Sequence, residues 1–270
     1  MSKTISETFG LDWDNLPISD AEYLKKIFDE HGFVVLKNII PKSRIDSFNE
    51  GFKTLLTGSL NFTTPGNDKI SLTALMALCV KNCTMEEYIG MLKVYVLSVA
   101  TKQMMFNNDL INVIQQIFGH SNLSQIGNPV MHVVGDRLKL TELPIHAPFH
   151  QDWPALRSSN RTIVCWLPIT GAVGDASLLL KPGSHKSGVF ESDTLSNVFE
   201  ATQEILNTFE TVSFDLDLGD VILFDSFLLH GSVPTENERV AISFRFEDIN
   251  CPEWRARNFN SNHRYFLDKT

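Results

Sequence analysis

The chain has 270 residues, 43% hydrophobic and 20% charged, with 23 Lys plus Arg against 32 Asp plus Glu, a formal charge of −9 and an isoelectric point near 5.3. That is enough for one sizeable apolar core at ordinary globular composition, and the acidity excludes a broad surface for nucleic acid or anionic membrane. The opening "MSKTISETFGLDWD" lacks an apolar signal segment and no run of 18 apolar residues occurs, so a cytoplasmic protein is expected.

In chain order, "SDAEYLKKIFDEHG" (19–32) predicts a helix, capped by Ser19 or Asp20, faced by Leu24, Ile27 and Phe28, and ended by Gly32. "FVVLKNII" follows as a buried strand. "PKSRIDSFNEGFKTLL" (41–56) is a second helix, with Ile45, Phe48, Phe52 and Leu55 at helical spacing. Residues 72–119 are rich in Leu, Met, Ile and Ala with helical periodicity, and Gly119 suits a C-terminal cap. Packing onto a sheet explains this Met-rich block better than a partner surface does. Cys79 and Cys83 lie four apart within it, but no second Cys or His pair at zinc spacing accompanies them, so they read as core. With Cys165 and Cys251 they are expected to be reduced thiols.

From about residue 128 the texture changes to short strands divided by turns: "VMHVVGDRLKL", "TIVCWLPIT", "ASLLLKPGSH", "TVSFDLDLGDVILFD" and "VAISFRFED". Such spacing predicts a β sandwich or barrel, with the N-terminal helices covering one sheet face. The whole reads as a single domain, 1–270: a helical part to about 127, a β core from about 128 to 248, and an extension from 249.

In "APFHQDWPAL" (147–156), His150 and Asp152 stand two apart, which on a strand aims both side chains one way. Two histidines and a carboxylate are the usual set for an iron(II) centre that keeps positions open for a cosubstrate and oxygen. The pair alone is weak evidence. His230 in "FLLHGS" supplies the third ligand, and the strand "RVAISFRF" that follows puts Arg239, Ala241, Ser243 and Arg245 on one polar face. An arginine entering a barrel needs an anion, and a dicarboxylate cosubstrate would provide it through a bidentate pair.

His150-Gln151-Asp152, "KPGSH" at 181–185, His230-Gly231-Ser232 and Arg239 followed by "VAIS" together resemble the phytanoyl-CoA dioxygenase family of iron(II)/2-oxoglutarate oxygenases. The similarity covers about residues 20–248. It implies a mainly β fold with flanking helices, built on a double-stranded β-helix. It implies that His150, Asp152 and His230 hold iron, that Arg239 and Ser232 hold the far carboxylate of 2-oxoglutarate, and that Met131 and Trp166 pack around that cosubstrate. The expected reaction couples oxidative decarboxylation of 2-oxoglutarate with O2 to hydroxylation of a C–H bond. Asp152 is retained where related halogenases lack the carboxylate, which favours hydroxylation, while desaturation, epoxidation and ring formation stay open.

The remaining polar residues carry two readings each. His185 is expected to fix a loop at the barrel mouth, and Gly219-Asp220 to make a turn. His132 and His146 either face substrate or are satisfied polar residues of the sheet. Trp153, Arg157, Asn160 and Arg161 follow the metal motif and are candidate substrate contacts. Arg245, six residues and about 20 Å along the strand from Arg239, is expected to lie outside the pocket. An acyl-CoA substrate would call on Lys181, Lys186, Arg157 and Arg161 for its phosphates, but a small free metabolite suits the acidic chain better. A protein side-chain hydroxylase and a non-catalytic binding module of the same architecture are the alternatives.

Overall fold

The computed structural model describes residues 15–60, 70–138, 147–190 and 200–261. His146 lies outside them. The helical part opens with α1 (Ala21–His31) and α2 (Lys42–Gly58) on either side of β1 (Phe33–Leu36). Asp20 accepts from the backbone N–H of Tyr23 to start α1, and Gly32 ends it at φ 82°, a left-handed conformation that suits glycine.

The periodic block after residue 70 folds as four helices: α3 (Leu72–Asn82), α4 (Met85–Tyr95), α5 (Val99–Met105) and α6 (Asn108–Phe118). Ser71, Thr84, Ser98 and Asn107 each turn an oxygen onto a free N–H of the helix that follows, which ends one helix and begins the next. Gly119 closes the last at φ 79°.

The β part consists of two antiparallel sheets. Strands β1, β2 (Leu123–Val134), β3 (Thr162–Pro168), β6 (Val221–Asp225) and β8 (Arg239–Asp248) form the larger in the order β1-β6-β3-β8-β2. The smaller has the order β5-β4-β7, from β5 (Val212–Ser213), β4 (Leu179–Leu180) and β7 (His230–Gly231). Short helices α7 (Trp153–Leu156), α8 (Gln203–Asn207) and α9 (Pro252–Ala256) lie between or after the strands.

The pleat gives the larger sheet two characters. On its outer face Cys165, Val240, Ile242 and Phe244 join Leu24, Phe48, Phe52, Met76, Ile114 and their neighbours in one apolar core that the helices cover. On the inner face, register places Val134 opposite Arg239, Trp166 opposite Ser243 and Val164 opposite Arg245. Polar groups thus line the space between the sheets while the helices seal the other side. Among the described residues no helix is long and apolar enough to cross a membrane.

Asp225, at the end of β6, gives a stability prediction. Burial pushes its carboxyl up to about 7, with Asp29 adding to the rise against the Phe227 N–H it accepts. The folded state therefore binds more protons than the unfolded chain between an unfolded value near 4 and about 7, and stability falls as pH rises through that window. Asp225→Asn keeps the acceptor and removes the charge. Its melting temperature is expected to exceed that of the wild type at pH 8, with the gap closing towards pH 4; a gap independent of pH would contradict this.

Candidate metal centre

His150 and His230 are brought together by backbone before side chain. The N–H of each donates to the carbonyl of the other, at 2.9 and 3.0 Å, and the two rings lie 4.3 Å apart between centroids. Gly231 permits this approach, since a Cβ there would stand 3.0 Å from the nitrogen of Phe149 and 3.1 Å from the carbonyl oxygen of Ala147. Nδ1 of His150 lies 2.7 Å from the Pro148 carbonyl and Nδ1 of His230 lies 2.9 Å from that of Leu228. Nδ1 of each ring thereby donates to a carbonyl, so the neutral form of each histidine carries its lone pair on Nε2.

Asp152 reaches the same point by a different route from the one strand alternation suggests. Only a bridge pair holds His150, and Asp152 already has helical backbone angles, φ −74° and ψ −33°, as the chain turns into α7. It stands at the N-cap of α7 without capping it; the carboxylate points into the space between the sheets. Its Oδ1 is 3.5 Å from Nε2 of His150 and 3.7 Å from Nε2 of His230. Ligand atoms of the three residues all lie within 4.8 Å of one another. Gln151, between two candidate ligands, faces away and staples the motif in place: its amide donates to the carbonyls of Gly188 and Phe227 and accepts from the N–H of Phe190.

The charge states of Asp152 and His230 suit a cation, while at His150 burial is outweighed by the hydrogen bond and charge of Asp152, which raise its pKa. Burial opposes ionisation of Asp152, but Arg245 and the two histidines hold its carboxyl well below the usual range. Burial pushes His230 down to about 3, so it is a neutral imidazole.

These side chains line a cavity of about 440 Å³ together with Arg239, Ser232, Trp166, His132, Ser243 and Arg245, within the usual range for small-molecule pockets. Arg239 is 2% exposed; its Nη1 donates to the Ala176 carbonyl at 2.5 Å, its Cζ lies 5.0 Å from the centre of the Trp166 ring, and its Nε has no partner. Burial alone lowers its pKa to about 10. A buried guanidinium with a free donor edge could hold a carboxylate. Ser232 accepts from the N–H of Ala147 through its hydroxyl oxygen, which leaves the hydroxyl hydrogen to donate into the cavity.

Several sequence expectations need correction. Arg245 is in the pocket: its side chain spans the distance that counting along the strand left open, and it meets Asp152 at 2.8 Å. Met131 borders the cavity, as expected, although it pairs with Ile242 on the face packed against the helices; beside it His132 points inward, its Nε2 2.8 Å from the Ser243 hydroxyl. Trp153, Arg157, Asn160 and Arg161 are not among the residues lining the cavity. Trp153 stacks on Phe227, Arg157 takes a left-handed turn at φ 46°, and Arg161 binds Asp248 and the Phe118 carbonyl. Arg257 then clamps the segment, donating to the carbonyls of Arg157 and Ser158 and to the Asn160 side chain. His185 contacts the Asp29 carbonyl and so ties its loop to α1.

Comparison with known proteins accords with this geometry. The family model described as phytanoyl-CoA dioxygenase (PhyH) matches residues 28–241. The peroxisomal phytanoyl-CoA dioxygenase of Bos taurus is 22% identical over 252 residues, covering 84% of this chain and 68% of that one. The 1-deoxypentalenic acid 11-beta-hydroxylase of Streptomyces arenae is 22% identical over 248 residues, covering 85% and 81%. In fold, the chain resembles the epimerase SnoN, whose structure holds Fe3+, alpha ketoglutarate and nogalamycin RO, with a TM-score of 0.60 at 13% identity over 85% of this chain and 84% of that one. With the family model spanning most of its length, the chain belongs to the phytanoyl-CoA dioxygenase family of iron(II)/2-oxoglutarate oxygenases.

Proposed function

We propose that this dioxygenase hydroxylates an unactivated C–H bond of a small free metabolite, releasing succinate and CO2. The observation that carries the reading is one cavity holding two free imidazole nitrogens, a carboxylate oxygen and a buried, half-satisfied arginine. The donor set of two nitrogens and one oxygen fits iron(II), and the open edge of Arg239 fits a carboxylate of 2-oxoglutarate. Bound there, iron(II) with 2-oxoglutarate supplies the oxygen chemistry that breaks the C–H bond.

The chain's own residues hold and shield. His150, Asp152 and His230 are the metal ligands in this reading. Arg239 and the Ser232 hydroxyl orient the cosubstrate by its far carboxylate, with Trp166 supporting the guanidinium. Val164, Leu178 and Phe224 give the cavity apolar walls that keep water from the reacting centre.

The substrate class follows from where the basic residues go. Lys181 directs its ammonium to the carbonyls of Leu206 and Phe209, and Arg161 is committed to Asp248. Two of the four cations that a CoA thioester would call on are thereby spent on the fold. Of the substrates that the relatives' names state, a phytanoyl-CoA and 1-deoxypentalenic acid, the free molecule is the better guide. Helices and β core share one apolar cluster, which supports reading them as a single catalytic domain. The four cysteines are free thiols, in keeping with a reducing compartment, and we place the enzyme in the cytoplasm.

The test is succinate release in the presence of iron(II), ascorbate and O2, measured across small free acids and alcohols and, separately, acyl-CoA thioesters. At least one free metabolite should stimulate succinate formation above the uncoupled rate. Stimulation by thioesters alone would overturn the substrate assignment and leave the reaction class standing.

A further inference from the structure

Arg245 treats the two oxygens of Asp152 differently. Its Nε and Nη2 both donate to Oδ2, at 2.9 and 2.8 Å. The other oxygen, Oδ1, faces the free Nε2 atoms of His150 and His230 at 3.5 and 3.7 Å. The side chains of Arg245 and Asp152 are each 10% exposed. One carboxylate oxygen is thus saturated from behind while its neighbour is left clear.

The need for such a device comes from how the three residues are anchored. His150 and His230 are locked to each other through the backbone and have their rings fixed by Pro148 and Leu228. Asp152 is one step outside that pairing, at the start of a four-residue helix that it does not cap. The terminal torsion of an aspartate is broad, and carboxylates bind cations through one oxygen or two. Arg245 supplies the missing restraint from the opposite sheet. It lies within β8, paired with Ile126 of β2 on one side, where that ladder shifts register before Val130, and with Val164 of β3 on the other, so both neighbouring strands anchor its backbone.

We propose that Arg245 is a positioning residue for the metal centre, presenting Asp152 as a one-oxygen ligand by holding Oδ2 out of reach. The inference rests on the iron reading above. It assigns the second arginine of β8 to the metal side of the cavity, leaving Arg239 to the cosubstrate.

Cobalt(II) titration of the metal-free full-length chain, followed by visible absorption, tests this without any turnover. Arg245→Gln is expected to weaken cobalt affinity about 10- to 100-fold, the usual effect of removing a group that orients a metal ligand, and to alter the cobalt spectrum. Arg245→Lys keeps the charge but not the fork, and should recover only part of the affinity. A residue that merely fills space would lower the melting temperature of the metal-free protein and leave cobalt affinity and spectrum unchanged; that result overturns the proposal. If Arg245→Gln does not fold, Arg245→Lys decides in the same way: weaker binding supports the assignment, and unchanged binding overturns it. A wild-type chain that takes up no cobalt defeats the iron reading itself, and the proposal falls with it.

Discussion

Asp152→Ala is expected to abolish 2-oxoglutarate-dependent succinate formation and to destabilise the metal-free protein, through two separate causes. The first is chemical. The substitution leaves two imidazoles where three donors converge, and a loss on the order of 1,000-fold in rate corresponds to about 4 kcal/mol of transition-state stabilisation, a modest figure for a metal-bound reaction. The second is electrostatic. Arg245 loses the acceptor of both its Nε and its Nη2 bonds while remaining buried, and breaking a buried pair from one side costs roughly 3–5 kcal/mol. His230→Ala should match Asp152→Ala in lost activity but fall short of it in lost stability, because no arginine is stranded. Asp152→Asn should lie between them in stability, since an amide oxygen can still accept from Arg245. Succinate release and thermal unfolding in chelator measure the two effects independently. Full turnover by Asp152→Ala would sink the assignment of the metal centre.

What the sequence made legible was the chemistry of the site, and what it hid was the path of the chain between its parts. His230 and Arg239 reach the cavity from strands whose pleat turns alternate residues inward, and a two-residue period can be read directly. Asp152 shows the limit of that argument. Its placement depends on helical angles at a strand end, which no alternation rule contains. Arg245 escapes the sequence for a related reason: counting along β8 measures backbone separation, whereas the cavity runs along the strand segment that carries both Arg239 and Arg245.

The residues after the motif fail in the other direction. Trp153, Arg157, Asn160 and Arg161 follow Asp152 closely in sequence, yet a left-handed turn at Arg157 and the clamp from Arg257 carry them into contacts of the fold. A basic residue near a ligand reads as a substrate contact until its partner, here Asp248 or a backbone carbonyl, is seen. The helical block had a visible signal that periodicity alone overlooks. Ser71, Thr84, Ser98 and Asn107 each precede a new helix, and Thr84 forms a reciprocal pair with Glu87 that a capping-box search would find.

Arg239→Met should raise the KM for 2-oxoglutarate about 100-fold or more, while leaving the metal-free protein as stable as the wild type to within about 1 kcal/mol. The loss follows from what a buried arginine does for a carboxylate: removing one side of a desolvated charge pair costs about 2–5 kcal/mol, and each 1.4 kcal/mol is tenfold in binding. The retained stability follows from how little of the Arg239 guanidinium is satisfied by the fold. Among the described residues no carboxylate is paired with Arg239, its Nε is unsatisfied, and burial holds its pKa at about 10, below the ordinary value. For a cation a depressed folded pKa means that folding is penalised at every pH below about 10, with relief only as pH rises above it. Methionine removes that penalty. It also strands the Ala176 carbonyl, which accepts from Nη1, and an unpaired buried acceptor costs about 1–3 kcal/mol, so the two terms nearly cancel. Cobalt affinity should be unaltered, which separates this variant from Asp152→Ala and Arg245→Gln. Arg239→Lys, with its charge but without the fork, should fall between wild type and methionine in KM. An unchanged KM for 2-oxoglutarate in Arg239→Met would remove Arg239 from the cosubstrate site, whereas a large loss of stability would mean that its guanidinium already has a partner in the fold.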